Sequence, residues 1–139
     1  MALRAASHLV LATDNVPGIT RFFAEAFESA PVFENDLFSE FVLPSKFRIA
    51  FFKPVGASAA SFDAAASRKG SAVGLTVANV DHIFAKLDAL RDTFAHHLSG
   101  PPKEHPWGEK SFLLTDPDGN RWEITQAPSG DGLLVDRET

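Results

Sequence analysis

No cysteine occurs among the 139 residues, so disulfides and thiolate metal centres are excluded. The same absence suits a reducing cytosol without requiring one. Nor does any apolar run approach the roughly 18 residues needed to cross a bilayer. Met1 to Ser7 is too short and too weakly apolar for a signal peptide, and the expected location is the cytoplasm. Basic residues are scarce, 13 Lys and Arg against 18 Asp and Glu, for a net charge of −5. Without a basic face nothing neutralises phosphates, so neither nucleic acid nor membrane is an expected partner. Tyrosine is absent and methionine occurs once, whereas phenylalanine occurs 13 times. Most of those rings belong in a core, and the rest suit an apolar cavity for a flat or greasy ligand. A chain this long buries roughly 68% of its unfolded surface, enough for one domain or for two small units.

Periodicity gives the elements. Ser7 to Thr13 alternates as a strand, with His8, Val10 and Ala12 on one face and Leu9 and Leu11 on the other. Asp14 or Asn15 then caps a helix that carries Pro17 in its first turn, where a missing N–H costs nothing. Ile19, Phe22, Phe23, Ala26 and Phe27 form its apolar stripe. Three β-like pieces follow, Val32 to Glu34, Glu40 to Leu43 and Phe47 to Lys53, the last two joined through Pro44-Ser45-Lys46. The stretch 54–70 turns to Ala, Ser and Gly and reads as a linker, with a helical turn from Asp63 to Ser67.

The pattern then restarts. Ala72 to Val77 alternates small and branched residues, and Asn79 caps a helix with Ile83, Phe84, Leu87 and Leu90. Laying Asn79 on Asn15 puts Val80 on Val16, Ile83 on Ile19 and Leu87 on Phe23, which indicates an internal repeat. Pro101 to Gly108 supplies a loop or short edge strand, and Ser111 to Thr115 and Arg121 to Gln126 close the unit. Between these two strands stands Asp116-Pro117-Asp118-Gly119-Asn120. Pro fits the first central turn position and Gly supplies positive φ, a strong hairpin signal. Residues 1–53 and 71–127 are thus read as two βαβββ modules, with 128–139 a tail whose Leu133, Leu134 and Val135 could dock on a partner.

His105-Pro106-Trp107-Gly108, then Phe112 through Asp116-Pro117-Asp118-Gly119-Asn120 to Trp122-Glu123, together with the His8-Leu9-Val10-Leu11 opening, carry a family resemblance. The sequence resembles the vicinal oxygen chelate superfamily, also called the glyoxalase, bleomycin resistance protein and dioxygenase superfamily, over residues 7–127. The resemblance implies an α+β fold of two tandem βαβββ modules forming an open, curved mixed sheet, a cup around a small-molecule cavity, often completed in a homodimer. In the family's metal enzymes, inward-facing His and Glu side chains hold a divalent ion that acts as a Lewis acid on the substrate. Other members lack the metal and bind planar or aromatic compounds.

On that resemblance His8 matches the first metal ligand and Glu123 the last, while Ala72 and Ala50 stand where the other two would be. Two ligands make a poor centre, since zinc sites use at least three, so no cofactor is expected. The alternative is a zinc, nickel, manganese or iron site on His8 and Glu123, completed by water, His105 or substrate. Without a metal, His8 and Glu123 either satisfy each other as a hydrogen-bonded pair or act as acid and base on a ligand. Trp107, with His105 in the same loop, is a stacking platform or a lid, and Phe38, Phe41 and Phe51 are wall candidates as well as core candidates. Asp116 and Asp118 are expected to shape their turn rather than to catalyse. Lys46, Arg48 and Lys53 could face an anionic ligand, although scattered basic residues usually just meet solvent. The expected function is metal-independent binding of an aromatic or amphipathic compound, as in the bleomycin-resistance branch. A glyoxalase-type lyase, isomerase or dioxygenase, or a metal-free enzyme using His8 or Glu123 as base, are the alternatives.

Overall fold

The computed structural model describes residues 2–3, 7–64 and 68–128. The expected tail contacts, the second half of the Asp63 to Ser67 turn and most of Met1 to Ser7 lie outside the described residues. The chain divides into two compact units, Met1–Ala66 and Ser67–Thr139. Each is α+β, with one helix on one open mixed sheet. Among the described residues no helix is long and apolar enough to cross a membrane.

In the first unit β1 (His8–Ala12) leads into α1 (Val16–Phe27), followed by β2 (Phe33–Glu34), β3 (Phe38–Val42) and β4 (Arg48–Phe52). The sheet order is β1-β4-β3-β2, with β1 parallel to β4 and the other pairs antiparallel. Asn15 is the cap of α1, its Oδ1 accepting from the Gly18 N–H at 3.0 Å. Leu9, Leu11, Ser39, Phe41, Ile49 and Phe51 share the sheet face turned to α1, because register partners lie on one face. The Phe23 ring of the helix packs at a tilt against Phe41 at 4.6 Å and Phe51 at 5.8 Å. Each such ring contributes about 1.5–3 kcal/mol by leaving water.

One buried polar contact ties helix to sheet. The Thr20 hydroxyl donates to the Val16 carbonyl at 2.6 Å, so Ser39, whose Oγ is 2.6 Å from Thr20 Oγ1, must donate to it. Thr20→Val strands the Ser39 proton and is expected to cost about 2 kcal/mol, whereas Ser39→Ala costs about 1. Urea unfolding of the two variants tests the order, and equal costs would reverse the assigned direction of the bond.

The second unit holds β5 (Val73–Thr76), α2 (Val80–Ala89), β6 (His97–Leu98), β7 (Lys103–Glu104), β8 (Lys110–Thr115) and β9 (Arg121–Gln126). β5 runs parallel to β9, β9 pairs antiparallel with β8, and both β6 and β7 pair with β8. Val80 and Leu87 of α2 are fully buried, as are Leu114 and Ile124 of the sheet. Phe84 meets Phe112 edge-on at 5.3 Å. Gln126 Oε1 accepts from the Val80 N–H at 2.8 Å, which fixes the start of the helix to the end of β9.

Some boundaries differ from the periodicity reading. β3 begins at Phe38 because Asn35 Oδ1 accepts from the Leu37 and Phe38 N–H groups, an Asx turn that launches the strand early. The linker forms a 3-10 turn at Gly56–Ala60. The second unit's edge is two short pieces, one of them before the Pro-rich stretch. Pro101 and Pro102 cannot donate to a ladder, so the pairing lapses between Leu98 and Lys103. Ser99 spans the start of the gap, its N–H donating to the Leu113 carbonyl while its Oγ accepts from the Leu113 N–H.

The repeat extends beyond the helices. Val10 is the register partner of Ala50, and Gly74, its counterpart, is the partner of Glu123. Glu123 therefore takes the place of Ala50, Arg121 that of Arg48, and Leu113 that of Glu40.

Candidate functional site

In the first unit the sheet face turned away from α1 carries His8 and Val10 from β1, Arg48, Ala50 and Phe52 from β4, and Phe38, Glu40 and Val42 from β3. Parallel register sets His8 beside Arg48, and antiparallel register sets Glu40 beside Ala50. The Arg48 guanidinium uses both neighbours. Its Nη2 lies 3.1 Å from His8 Nδ1 and its Nη1 lies 3.4 Å from Glu40 Oε2. Arginine only donates, so His8 Nδ1 accepts and the proton of the neutral imidazole sits on Nε2. Four residues along β4 from Arg48, Phe52 meets Phe62 edge-on at 4.8 Å. Phe38, its register partner, lies 6.0 Å from Phe33. The face is thus polar at one end and aromatic at the other.

Phe41 and Phe51 do not join this face. Both are fully buried on the helix side, 6.3 Å apart in an edge-on contact, and serve as core. The reason is parity: Phe51 neighbours Ala50, and successive strand residues point to opposite faces. Phe38 lies three residues from Phe41 and so faces the other way.

In the second unit the corresponding face carries Gly74 and Thr76, Ser111, Leu113 and Thr115, and Arg121, Glu123 and Thr125. Glu123 is exposed, and its side chain forms no hydrogen bond or ion pair with another described residue. Thr125 is the register partner of Ser111, whose Oγ lies 2.6 Å from His105 Nε2. The loop that delivers His105 closes through His105 N–H to Glu109 O at 2.7 Å and Gly108 N–H to His105 O at 2.8 Å. At its tip Trp107 stacks on the His105 ring, with centroids 4.6 Å apart and planes 2° from parallel. The indole N–H donates to Glu109 Oε1 at 2.6 Å, yet the residue stays 64% exposed, a fixed aromatic surface with one side open. The second unit therefore brings His105, Trp107 and Ser111 together.

The donors for a metal ion are sparse. Among the described residues no group of three or more His, Asp and Glu side chains could hold one. Ala50 and Ala72 offer no ligand atoms, and the ring nitrogen of His8 nearest its neighbours faces a guanidinium, whose charge repels a cation. Glu40, Phe33, Phe52 and Phe62 are the site features that sequence reasoning missed. The signal for Phe52 was present, since it shares parity with Ala50 and Arg48 on one strand.

A family model described as Glyoxalase/Bleomycin resistance protein/Dioxygenase superfamily matches residues 5–124. Among solved structures the chain is similar to a glyoxalase-related enzyme from Fulvimarina pelagi, at 25% identity over 92% of this chain and 90% of that one, with a TM-score of 0.71. It is also similar to a glyoxalase/bleomycin resistance protein/dioxygenase superfamily member from Sphaerobacter thermophilus DSM 20745, at 18% identity, 91% and 100% coverage and a TM-score of 0.68. A genomically encoded fosfomycin resistance protein, FosX, from Listeria monocytogenes matches at 16% identity, 90% and 94% coverage and a TM-score of 0.69. These last two likenesses speak for the fold alone. No curated protein matches the chain.

Proposed function

The chain belongs to the Glyoxalase/Bleomycin resistance protein/Dioxygenase superfamily, and from that membership we propose that it binds a small aromatic or amphipathic compound without a metal, in the manner of a resistance or sequestration protein. The observation that carries this reading is the fate of the ligand positions. Ala50 and Ala72 supply no donor, and His8 is bonded to Arg48 on a sheet face whose other end is aromatic. A zinc enzyme needs at least three protein ligands around its ion. A binder needs apolar walls and a few oriented polar groups, which is what this face offers. In the second unit, Trp107 is a held ring that a planar compound can stack on. The proposal includes a homodimer, for which exposed Val32 and Leu37 beside the edge strand β2 give apolar surface.

Metal loading tests the first half. The protein is stripped with chelator, dialysed against zinc, nickel, manganese, cobalt or ferrous iron, and measured by plasma mass spectrometry. Background metal throughout is the expected result. About one ion per chain, lost in Glu123→Gln, would overturn the reading in favour of a glyoxalase-type lyase, isomerase or dioxygenase. Ligand binding tests the second half. Trp107→Ala is expected to weaken binding of planar aromatic compounds about 10-fold, the loss of one stacking contact near 1.4 kcal/mol, while Glu123→Gln changes it little. Unchanged affinity in Trp107→Ala would remove Trp107 from the site.

A further inference from the structure

We propose that Arg48, with His8 beside it, anchors the carboxylate of an aromatic acid, so that the compound bound is an anion rather than any flat molecule. The inference rests on the metal-independent reading above and names the ligand class for that same face. Its starting point is the unused capacity of the guanidinium. Arginine has five N–H donors in a planar fork, and the two contacts described engage one on each terminal nitrogen. The contact to Glu40 is single and, at 3.4 Å, longer than the 2.7–2.9 Å of a strong charge-assisted bond. Glu40 thus steers the side chain without saturating it. The Arg48 side chain remains 44% exposed, so water or a ligand reaches the remaining donors.

His8 adds a second directed donor. Because Nδ1 accepts from Arg48, the Nε2–H of the neutral ring is free to donate to an oxygen beside the guanidinium. A carboxylate has two oxygens with four lone-pair sites, and a planar fork is the geometry that holds it in two places. The aromatic half of the ligand is fixed by the same strand. From Arg48 to Phe52 is four residues, about 13 Å of extended chain, and the flexible arginine stem shortens that span. Between them Ala50 is itself covered, at 1% exposed, and the open surface is its register partner Val10, 43% exposed, over which a ring can lie. Phe52 and Phe38 line the far end, with Phe62 and Phe33 behind them. A neutral aromatic could use the rings but would leave the guanidinium contacts to water. A fatty acid could use the charge but not the edge-on aromatic geometry.

The test compares acids with their neutral isosteres on the full chain by titration calorimetry near neutral pH. The probes are 1-naphthoate against 1-naphthamide, indole-3-acetate against indole-3-acetamide, and biphenyl-4-carboxylate against its amide. The acid of at least one pair is expected to bind about 10-fold or more tightly than its amide, as one charge-assisted pair predicts. Arg48→Met, which keeps the apolar stem, should bring that ratio close to unity while leaving the amide's affinity unchanged. Arg48→Lys should retain part of the preference, and circular dichroism of each variant confirms that the sheet is intact. Equal affinity for acid and amide in the native protein, or a preference that survives Arg48→Met, overturns the anion assignment and leaves the aromatic site standing. Binding of no probe from either class sinks the small-molecule reading itself, and the anion assignment with it.

Discussion

Replacing Asp116 with Ala is expected to remove about 3–5 kcal/mol of stability from the second unit, the largest loss any single polar substitution here should produce. Asp116 is 3% exposed and accepts four hydrogen bonds. Its Oδ1 takes the Asp118 and Asn120 N–H groups, both at 2.9 Å. Its Oδ2 takes Asn120 Nδ2 at 2.8 Å and Trp122 Nε1 at 2.9 Å. One carboxylate therefore closes the β8–β9 turn and satisfies the only polar atom of a buried indole. Asn120 passes the link on, accepting from Arg68. Alanine leaves the Trp122 and Asn120 donors facing each other in a dry site, at about 1–3 kcal/mol for each group stranded. Asp116→Asn keeps the shape but turns one acceptor into a donor, and should fall between alanine and the native protein. The contrast is Asp81→Ala, which breaks an exposed ion pair with Lys110 and should cost less than about 1 kcal/mol. Guanidinium unfolding followed by Trp122 fluorescence separates these cases. An Asp116→Ala midpoint indistinguishable from native would show that the network is wet or otherwise compensated.

That turn also shows what was legible in the sequence. Pro117 and Gly119 predicted a hairpin between Ser111–Thr115 and Arg121–Gln126, and Gly119 does take a φ of 88°. The role given to Asp116, shaping the turn, follows from a short acidic side chain bonding its own backbone. Its reach to Trp122 could not be read, because that contact depends on strand register bringing position 122 back over position 116. The helices were legible for a similar local reason: an asparagine cap and an apolar stripe act within a few residues. Of the short edge strands, Phe33–Glu34 fell within the piece read from Val32 to Glu34 and Lys103–Glu104 within Pro101 to Gly108, but His97–Leu98 was not legible. His97–Leu98 pairs only because β8 lies beside it, and nothing within that dipeptide marks a strand.

The site was half legible. His8 and Glu123 were placed by resemblance, and the alternation of their strands put each on the open face. The polar partner of His8 in its own unit, Arg48, stands 40 residues away and reaches it only through parallel pairing of β1 with β4. Glu40 needed a second pairing, β3 with β4, to be set beside them. Sequence alternation orders residues within a strand, whereas the site is built across strands, and register is a tertiary property. The repeat supplies the missing rule in retrospect. With Val10–Ala50 and Gly74–Glu123 as equivalent pairs, an arginine opens each closing strand on the same face, at 48 and at 121.

Parity along β3 and β4 yields the second large effect. Phe41→Ala is expected to cost about 3–5 kcal/mol, the transfer of a buried ring plus the cavity it leaves. Phe41 is fully buried and touches Phe23 and Phe51, so neither helix nor sheet can close over the space without breaking the other contact. Phe51→Ala should cost a similar amount, and the double variant less than the two costs added, since both empty one cavity. Phe38→Ala, three residues earlier on the same strand, removes a ring that is half-buried on the opposite face and should cost about 1 kcal/mol or less. Binding should rank the same variants the other way. Phe38→Ala weakens capture of planar aromatic compounds, while a folded Phe51→Leu variant, which keeps an apolar filling, binds as the native protein does. Thermal unfolding and ligand titration on the same preparations decide it. If Phe38→Ala destabilised the chain as much as Phe41→Ala, its ring would be core on a closed face and the aromatic wall proposed here would have no surface to present. If stability and binding instead separate as parity requires, one strand serves the core on one side and the ligand on the other.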